Sequence, residues 1–149
     1  MVENADILKV EILLVEDNPG DVVLFNEALQ SSPVPTHLTV VEDGEDALAF
    51  LGRQPRFQSS PRPNLIILDL NLPKLNGSEV LQEIRQNSEF DTIPVVILTT
   101  SRSDKDVVAA YRMHANSYTV KPVDLPHFME VLKELTHFWL NIASLPGES

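Results

Sequence analysis

The sequence predicts an α/β fold: one five-stranded parallel sheet, doubly wound, with helices on both faces. Three observations carry this expectation. Apolar runs without polar alternation, Leu65-Ile66-Ile67-Leu68 above all, read as strands buried on both faces. Segments with apolar residues at helical spacing separate those runs, so strand and helix alternate along the chain. Each run also stops abruptly at charged or hydroxyl residues, as a strand does where it leaves a covered sheet. Parallel crossovers are right-handed, which leaves an open doubly wound sheet as the natural closure.

Lys9–Val15 forms the first strand and ends in Glu16-Asp17. Asn18-Pro19 is a cap followed by proline at a first helical position. Val22, Val23, Phe25, Ala28 and Leu29 then make a helical stripe that ends near Ser31, before Pro33 and Pro35. Leu38–Val41 is a short second strand, and Asp43-Gly44 turns it into a helix carrying Ala47, Leu48, Phe50 and Leu51. Arg53–Pro63 has Pro55, Pro61, Pro63, a serine pair and three arginines, and reads as an exposed, mobile loop insertion. The third strand leads through Asp69 to Pro73, which stops pairing. Ser78–Asn87 is a helix with Val80, Leu81 and Ile84 on one side.

Pro94–Thr100 is a fourth buried strand ending in hydroxyls, and Asp104–Met113 a short helix with Val107, Val108 and Tyr111. Tyr118–Val120 is the fifth strand, stopped by Lys121-Pro122. Asp124 caps the last helix, with Pro126 in its first turn. Leu125, Phe128, Leu132, Leu135, Trp139 and Ile142 form one stripe along it. Met129, Val131, Phe138 and Leu140 widen that apolar surface, which serves as core or as a subunit interface. A single domain over residues 1–149 is expected, with its core at about 9–142 and the insertion at 53–63.

The 149 residues include 22 acidic and 11 basic ones, a formal charge of −11. That balance disfavours binding to nucleic-acid phosphates and favours metal-ion or basic partners. Without cysteine there is neither a disulfide framework nor a thiolate metal site. Met1–Asp6 lacks the pattern of a signal peptide, and no apolar run approaches membrane-spanning length. A soluble, cytoplasmic protein with no membrane partner is expected.

In a doubly wound sheet the functional groups at the strand ends share one rim. Glu16 and Asp17 end the first strand, Asp69 the third, Thr99 and Thr100 the fourth, and Lys121 follows the fifth. Neighbouring carboxylates raise one another's pKa unless a cation lies among them. Oxygen ligands suit a hard divalent ion such as Mg²⁺. A metal beside an aspartate, with a lysine and a hydroxyl nearby, fits phosphoryl transfer to the carboxylate. The histidines His37, His114, His127 and His137 sit on different elements without ligand spacing and read as surface or packing residues. Glu79 and Glu83 read as a solvated helix face.

The stretches Leu-Val-Glu-Asp-Asn at 14–18, Leu-Asp-Leu-Asn-Leu-Pro at 68–73, Leu-Thr-Thr-Ser at 98–101 and Tyr-Thr-Val-Lys-Pro at 118–122 resemble the response-regulator receiver domains of bacterial two-component signalling. The resemblance runs over Ile12–Leu140 and implies a flavodoxin-like, CheY-like fold. It also implies that Asp69 is the phosphoacceptor, that Glu16, Asp17, Asp69 and the Asn71 backbone carbonyl bind Mg²⁺, and that Lys121 contacts the phosphoryl group. Thr99 and Tyr118 would form the switch pair, and a sensor histidine kinase would be the donor. The insertion, the Thr-Thr-Ser and the Phe138-Trp139-Leu140 tail are similar to the small single-domain regulators paired with cyanobacterial-type phytochromes. Two positions depart from the wider family: Thr100 replaces a small residue, and His114 stands where glycine often ends the fourth helix.

The expectation is a phosphoacceptor signalling protein, catalysing its own phosphotransfer and dephosphorylation only. About nine residues follow Leu140, too few for a helix-turn-helix effector, so output through protein contact or homodimerisation of the last helix is expected. One alternative is a hydrolase passing through an aspartyl phosphate, for which Asn71 stands where a second acid is needed. The other is a receiver-like binding module that works without phosphorylation.

Overall fold

In the computed structural model, which describes residues 9–147, the apolar runs pair side by side and all in one direction. β1 (Val10–Val15), β2 (Thr36–Val41), β3 (Leu65–Leu68), β4 (Val95–Thr99) and β5 (Ser117–Val120) form a five-stranded sheet in the order β2-β1-β3-β4-β5. The pairings are parallel throughout. The helices α1 (Pro19–Gln30), α2 (Gly44–Leu51), α3 (Gly77–Gln86), α4 (Asp104–Arg112) and α5 (Leu125–His137) make the crossovers and the final cover. The expected doubly wound α/β sheet is the fold observed. Met1–Asp6, read above as lacking a signal peptide, lies outside the described residues. Among the described residues no helix is long and apolar enough to cross a membrane.

Side-chain alternation in the buried strands divides the core in two. Leu13, Val15, Ile66, Leu68, Val95 and Ile97 face Ala47 and Phe50 of α2 and Val80, Leu81 and Ile84 of α3. Ile12, Leu14, Leu65, Ile67, Val96 and Leu98 face Phe25 and Leu29 of α1 and Phe128, Leu132 and Leu135 of α5. Burying each of these large side chains contributes roughly 1.5–3 kcal/mol before the entropy of ordering is subtracted.

Every one of these helices starts on a polar cap. Asn18, Asp43, Asn76, Ser103 and Asp124 accept from the backbone N–H of Asp21, Asp46, Glu79, Asp106 and His127. Glu79, read above only as a solvated face, also accepts from the Asn76 amide and closes a capping box. His114 ends α4 at φ 66°, the left-handed backbone expected there.

Two expected apolar stripes are corrected, those of the first and last helices, and two other features of the packing stand beside them. Within the largely exposed 53–63 insertion, a 3-10 turn at Pro55–Phe57 sets the Phe57 ring edge-on to Phe50, with centroids 5.5 Å apart. Arg56 lies over that ring and pairs with Asp46, and Arg62 donates to the Glu89 carbonyl. The last stripe is not continuous: a π turn at Phe138–Ile142 re-aims the residues beyond α5 and Ile142 is exposed there, while Leu125 is exposed at the opposite end, in the first position of α5. On α4 only Ala110 is buried, while Val108 and Tyr111 are each 49% exposed. On α1, Val23 points outward, since the neighbouring Val22, Phe25 and Leu29 already fill the inward arc.

The turn after β3 depends on Gly77. Its N–H donates to the Leu70 carbonyl at 2.9 Å, and a Cβ there would collide with the Asp69 carbonyl and the Leu70 Cα. Gly77→Ala is therefore expected to cost about 3 kcal/mol in urea denaturation, from overpacking against backbone that cannot give way. A loss below about 1 kcal/mol would mean that the turn relaxes.

Candidate functional site

Strand register brings the candidate residues together. Val15 lies beside Val41 and Leu68, so Glu16 and Asp69 leave β1 and β3 at the same level. The backbone continues the ladder briefly, with Glu16 N–H donating to the Val41 carbonyl and Asp69 N–H to the Val15 carbonyl. β4 reaches Thr99 beside Val120, and Lys121 N–H donates to the Thr99 carbonyl at 2.7 Å. The crevice opens above β1 and β3, where the winding direction reverses.

At its centre is the Lys121 ammonium, which donates to Glu16 Oε1 at 2.7 Å, Asp21 Oδ2 at 2.8 Å and Asp69 Oδ2 at 2.9 Å. Glu16, Asp69 and Lys121 are all buried. Asp69 Oδ1 accepts from the Asn71 amide at 3.0 Å, and Glu16 Oε2 from the Asn18 amide at 3.1 Å. Thr99 is fully buried, with Asn71 Nδ2 3.4 Å from its Oγ1. Tyr118 is half-buried and donates its hydroxyl to the Ser101 carbonyl at 3.1 Å. Ser101 donates in turn to Asp106 Oδ2 at 2.6 Å, which ties the β4–α4 loop to α4. Thr100, the residue after β4, is exposed.

Glu16, Asp17, Asp69, Asn71, Thr99, Tyr118 and Lys121 thus share one rim. Asp21 belongs with them and was not singled out from sequence. Its signal was available: an acid in the first turn of the helix that follows Glu16-Asp17 projects from the same end of the sheet. Of the histidines, His37 pairs with Glu11 at 2.7 Å on the surface, and none enters the site.

The charges do not balance. Glu16, Asp21 and Asp69 meet one ammonium, and Asp17 adds a further exposed carboxylate. Burial, only partly offset by Lys121 and reinforced by the Asp69 charge, pushes the Glu16 carboxyl up to about 7. For Lys121 burial acts downward, but its hydrogen bonds to Asp21, Glu16 and Asp69 outweigh it and hold the ammonium above its ordinary range. One oxygen each of Glu16, Asp17 and Asp69 can be chosen so that all lie within 4.8 Å of one another. This oxygen-only set, short of positive charge, fits a hard divalent cation. The remaining chemistry is nucleophilic: a buried carboxylate whose approach to an anionic group is eased by an adjacent ammonium.

The profile of the response regulator receiver domain matches residues 12–133. Response regulator Rcp1 of Synechocystis sp. is 47% identical over 136 residues, covering 91% of this chain and 92% of that protein. The crystal structure of the Mn²⁺-bound form of response regulator Rcp1 superposes with a TM-score of 0.90 at 46% identity, covering 92% of this chain and 99% of that one. The phosphorylated cyanobacterial phytochrome response regulator RcpA superposes with a TM-score of 0.91 at 41% identity, covering 94% of this chain and all 100% of that one. A receiver-domain site of this kind is an acidic pocket for a divalent cation.

Two measurements probe the charge imbalance. In cation-free buffer the folded protein retains the Glu16 proton between the ordinary 4.5 and about 7, where the unfolded chain has released it. Rising pH therefore removes stability through that window, so the stability of the wild type relative to Glu16→Gln should fall from pH 5 to pH 7. A difference that stays flat would contradict the raised value. Adding a divalent cation should raise the thermal midpoint of the wild type, and Asp17→Asn, at an exposed position, should lose most of that rise without losing the fold.

Proposed function

The chain belongs to the response regulator receiver domain family, and from that premise we propose that Asp69 accepts a phosphoryl group from a sensor histidine kinase. The observation that carries the reading is a buried Asp69 with the Lys121 ammonium at 2.9 Å and the Glu16 and Asp17 oxygens close by. An Asp69 carboxylate oxygen forms a bond to phosphorus as the phosphorus–nitrogen bond of the donor phosphohistidine breaks, its electron pair passing to the imidazole. Lys121 offsets charge on the phosphoryl oxygens. Glu16, Asp17, Asp69 and the Asn71 backbone carbonyl would hold Mg²⁺, the first three supplying the clustered carboxylate oxygens. When bound, Mg²⁺ supplies positive charge that stabilises the equatorial oxygens of the transferring group.

After transfer, Thr99 donates its hydroxyl to a phosphoryl oxygen, and Tyr118 moves into the space that opens. Tyr118 starts from a bond to the Ser101 carbonyl, so its movement loosens the β4–α4 loop. That is a local charge change biasing a two-state element. The output is protein contact through the α4–β5–α5 side, where Val108 and Tyr111 are exposed. Copies of the chain pair through the last helix, supported by the exposed Phe138 and Ile142 beyond α5.

The likeness to phytochrome regulators supports a phytochrome-type histidine kinase as donor, in the cytoplasm. The protein catalyses its own phosphotransfer and dephosphorylation. The hydrolase alternative is disfavoured by Asn71, whose amide nitrogen lies near Thr99 Oγ1 where a second acid would be needed.

With Mg²⁺ and a small acyl phosphate, the wild type should gain one phosphoryl group by mass and Asp69→Asn none. Thr99→Ala should still be phosphorylated while losing any phosphorylation-dependent change in self-association, read by sedimentation. A wild type that gains no phosphate points to the binding-module alternative.

A further inference from the structure

We infer that Asp21 is a positioning residue for phosphotransfer, holding the Lys121 ammonium at the rim while the incoming groups draw away its other two acceptors. The inference rests on Asp69 being the phosphoacceptor. An ammonium has three N–H donors, and here they go to Glu16 at 2.7 Å, Asp21 at 2.8 Å and Asp69 at 2.9 Å. Glu16 and Asp69 also belong to the oxygen cluster suited to a divalent ion, whereas Asp21 stands outside it. Cation binding therefore engages Glu16, and phosphorylation converts an Asp69 oxygen. Of the three present acceptors, Asp21 alone is claimed by neither event, so it keeps Lys121 in place as the ammonium turns toward the phosphoryl oxygens.

Both ends of this bridge are fixed in advance. Asp21 lies in the first turn of α1, its amide bonded to Asn18 Oδ1 at 3.1 Å, near a helix terminus that favours negative charge. The Lys121 backbone is held by the Thr99 carbonyl at 2.7 Å. The Asp21 side chain is 20% exposed and that of Lys121 5%, so Asp21 is the acceptor on the open side of the crevice. Without Asp21 a flexible four-carbon stem carries the charge, and part of the orientation must be found during the reaction. In the step served, an Asp69 oxygen bonds to phosphorus while the bond from phosphorus to the donor breaks. The leaving group keeps the electron pair.

The test compares wild type, Asp21→Ala and Asp21→Asn, using acetyl phosphate with Mg²⁺ and following the adduct by mass. At saturating Mg²⁺, Asp21→Ala should react roughly tenfold more slowly, as expected for loss of one charge-assisted hydrogen bond. Asp21→Asn keeps an acceptor without the charge and should lose only about threefold. The Mg²⁺ concentration giving half of the thermal stabilisation should stay within about twofold for both, because Asp21 is not among the cation ligands. Equal rates for Asp21→Ala and wild type would overturn the inference while leaving phosphorylation of Asp69 intact. So would a rate loss matched by weaker Mg²⁺ binding or lower stability in both variants, which marks a structural role. If the wild type itself gains no phosphate, the premise fails and the inference falls with it.

Discussion

The Lys121 ammonium among three carboxylates is the constraint to which the rest of the rim conforms. Removing two or more charges from water costs several kcal/mol each, and only close, well-directed partners repay it. β1, β3 and β5 contribute or adjoin the cluster, and α1 supplies a member through Asp21. The strands must therefore end at matching heights, which the register of Val15 with Leu68 and of Thr99 with Val120 provides. Once assembled the cluster is still short of positive charge, and that shortfall makes the rim receptive to a cation.

The same arrangement ties the site to the two halves of the core. Asp69 sits between Leu68 and Leu70, both packed with the α2 and α3 side chains. Asp21 belongs to α1, whose Phe25 and Leu29 pack with α5 on the opposite face. The rim is thus joined to the packing on both sides of the sheet, where a close-packed interior leaves little room to absorb a displacement.

Much of this was legible in the sequence because strands buried on both faces tolerate charge only at their ends. That rule picked out Glu16, Asp17, Asp69 and Lys121, the hydroxyls closing the fourth strand pointed to Thr99, and the caps of the first and last helices were read from Asn18-Pro19 and Asp124. Less legible were features set by tertiary geometry. Asp21 shares the first turn of α1 with the cap, and its ammonium partner is 100 residues away. Phe57 lies in a proline-rich stretch that reads as solvent-exposed, yet it reaches Phe50 on the preceding helix. The π turn at Phe138–Ile142 departs from 3.6-residue spacing, so a periodic stripe does not reveal it.

The exposed Val108 and Tyr111 of α4 and Phe138 beyond α5 sit on a chain with a formal charge of −11. Apolar attraction acts only near contact, whereas the field of the chain extends about 8–10 Å at physiological ionic strength. A second copy must approach against its own repulsion, while a partner bearing lysine or arginine is drawn in and turned toward the surface. The two kinds of encounter would consequently respond to added electrolyte with opposite signs: self-association would strengthen as the solution becomes more saline, and capture of a cationic protein would slow.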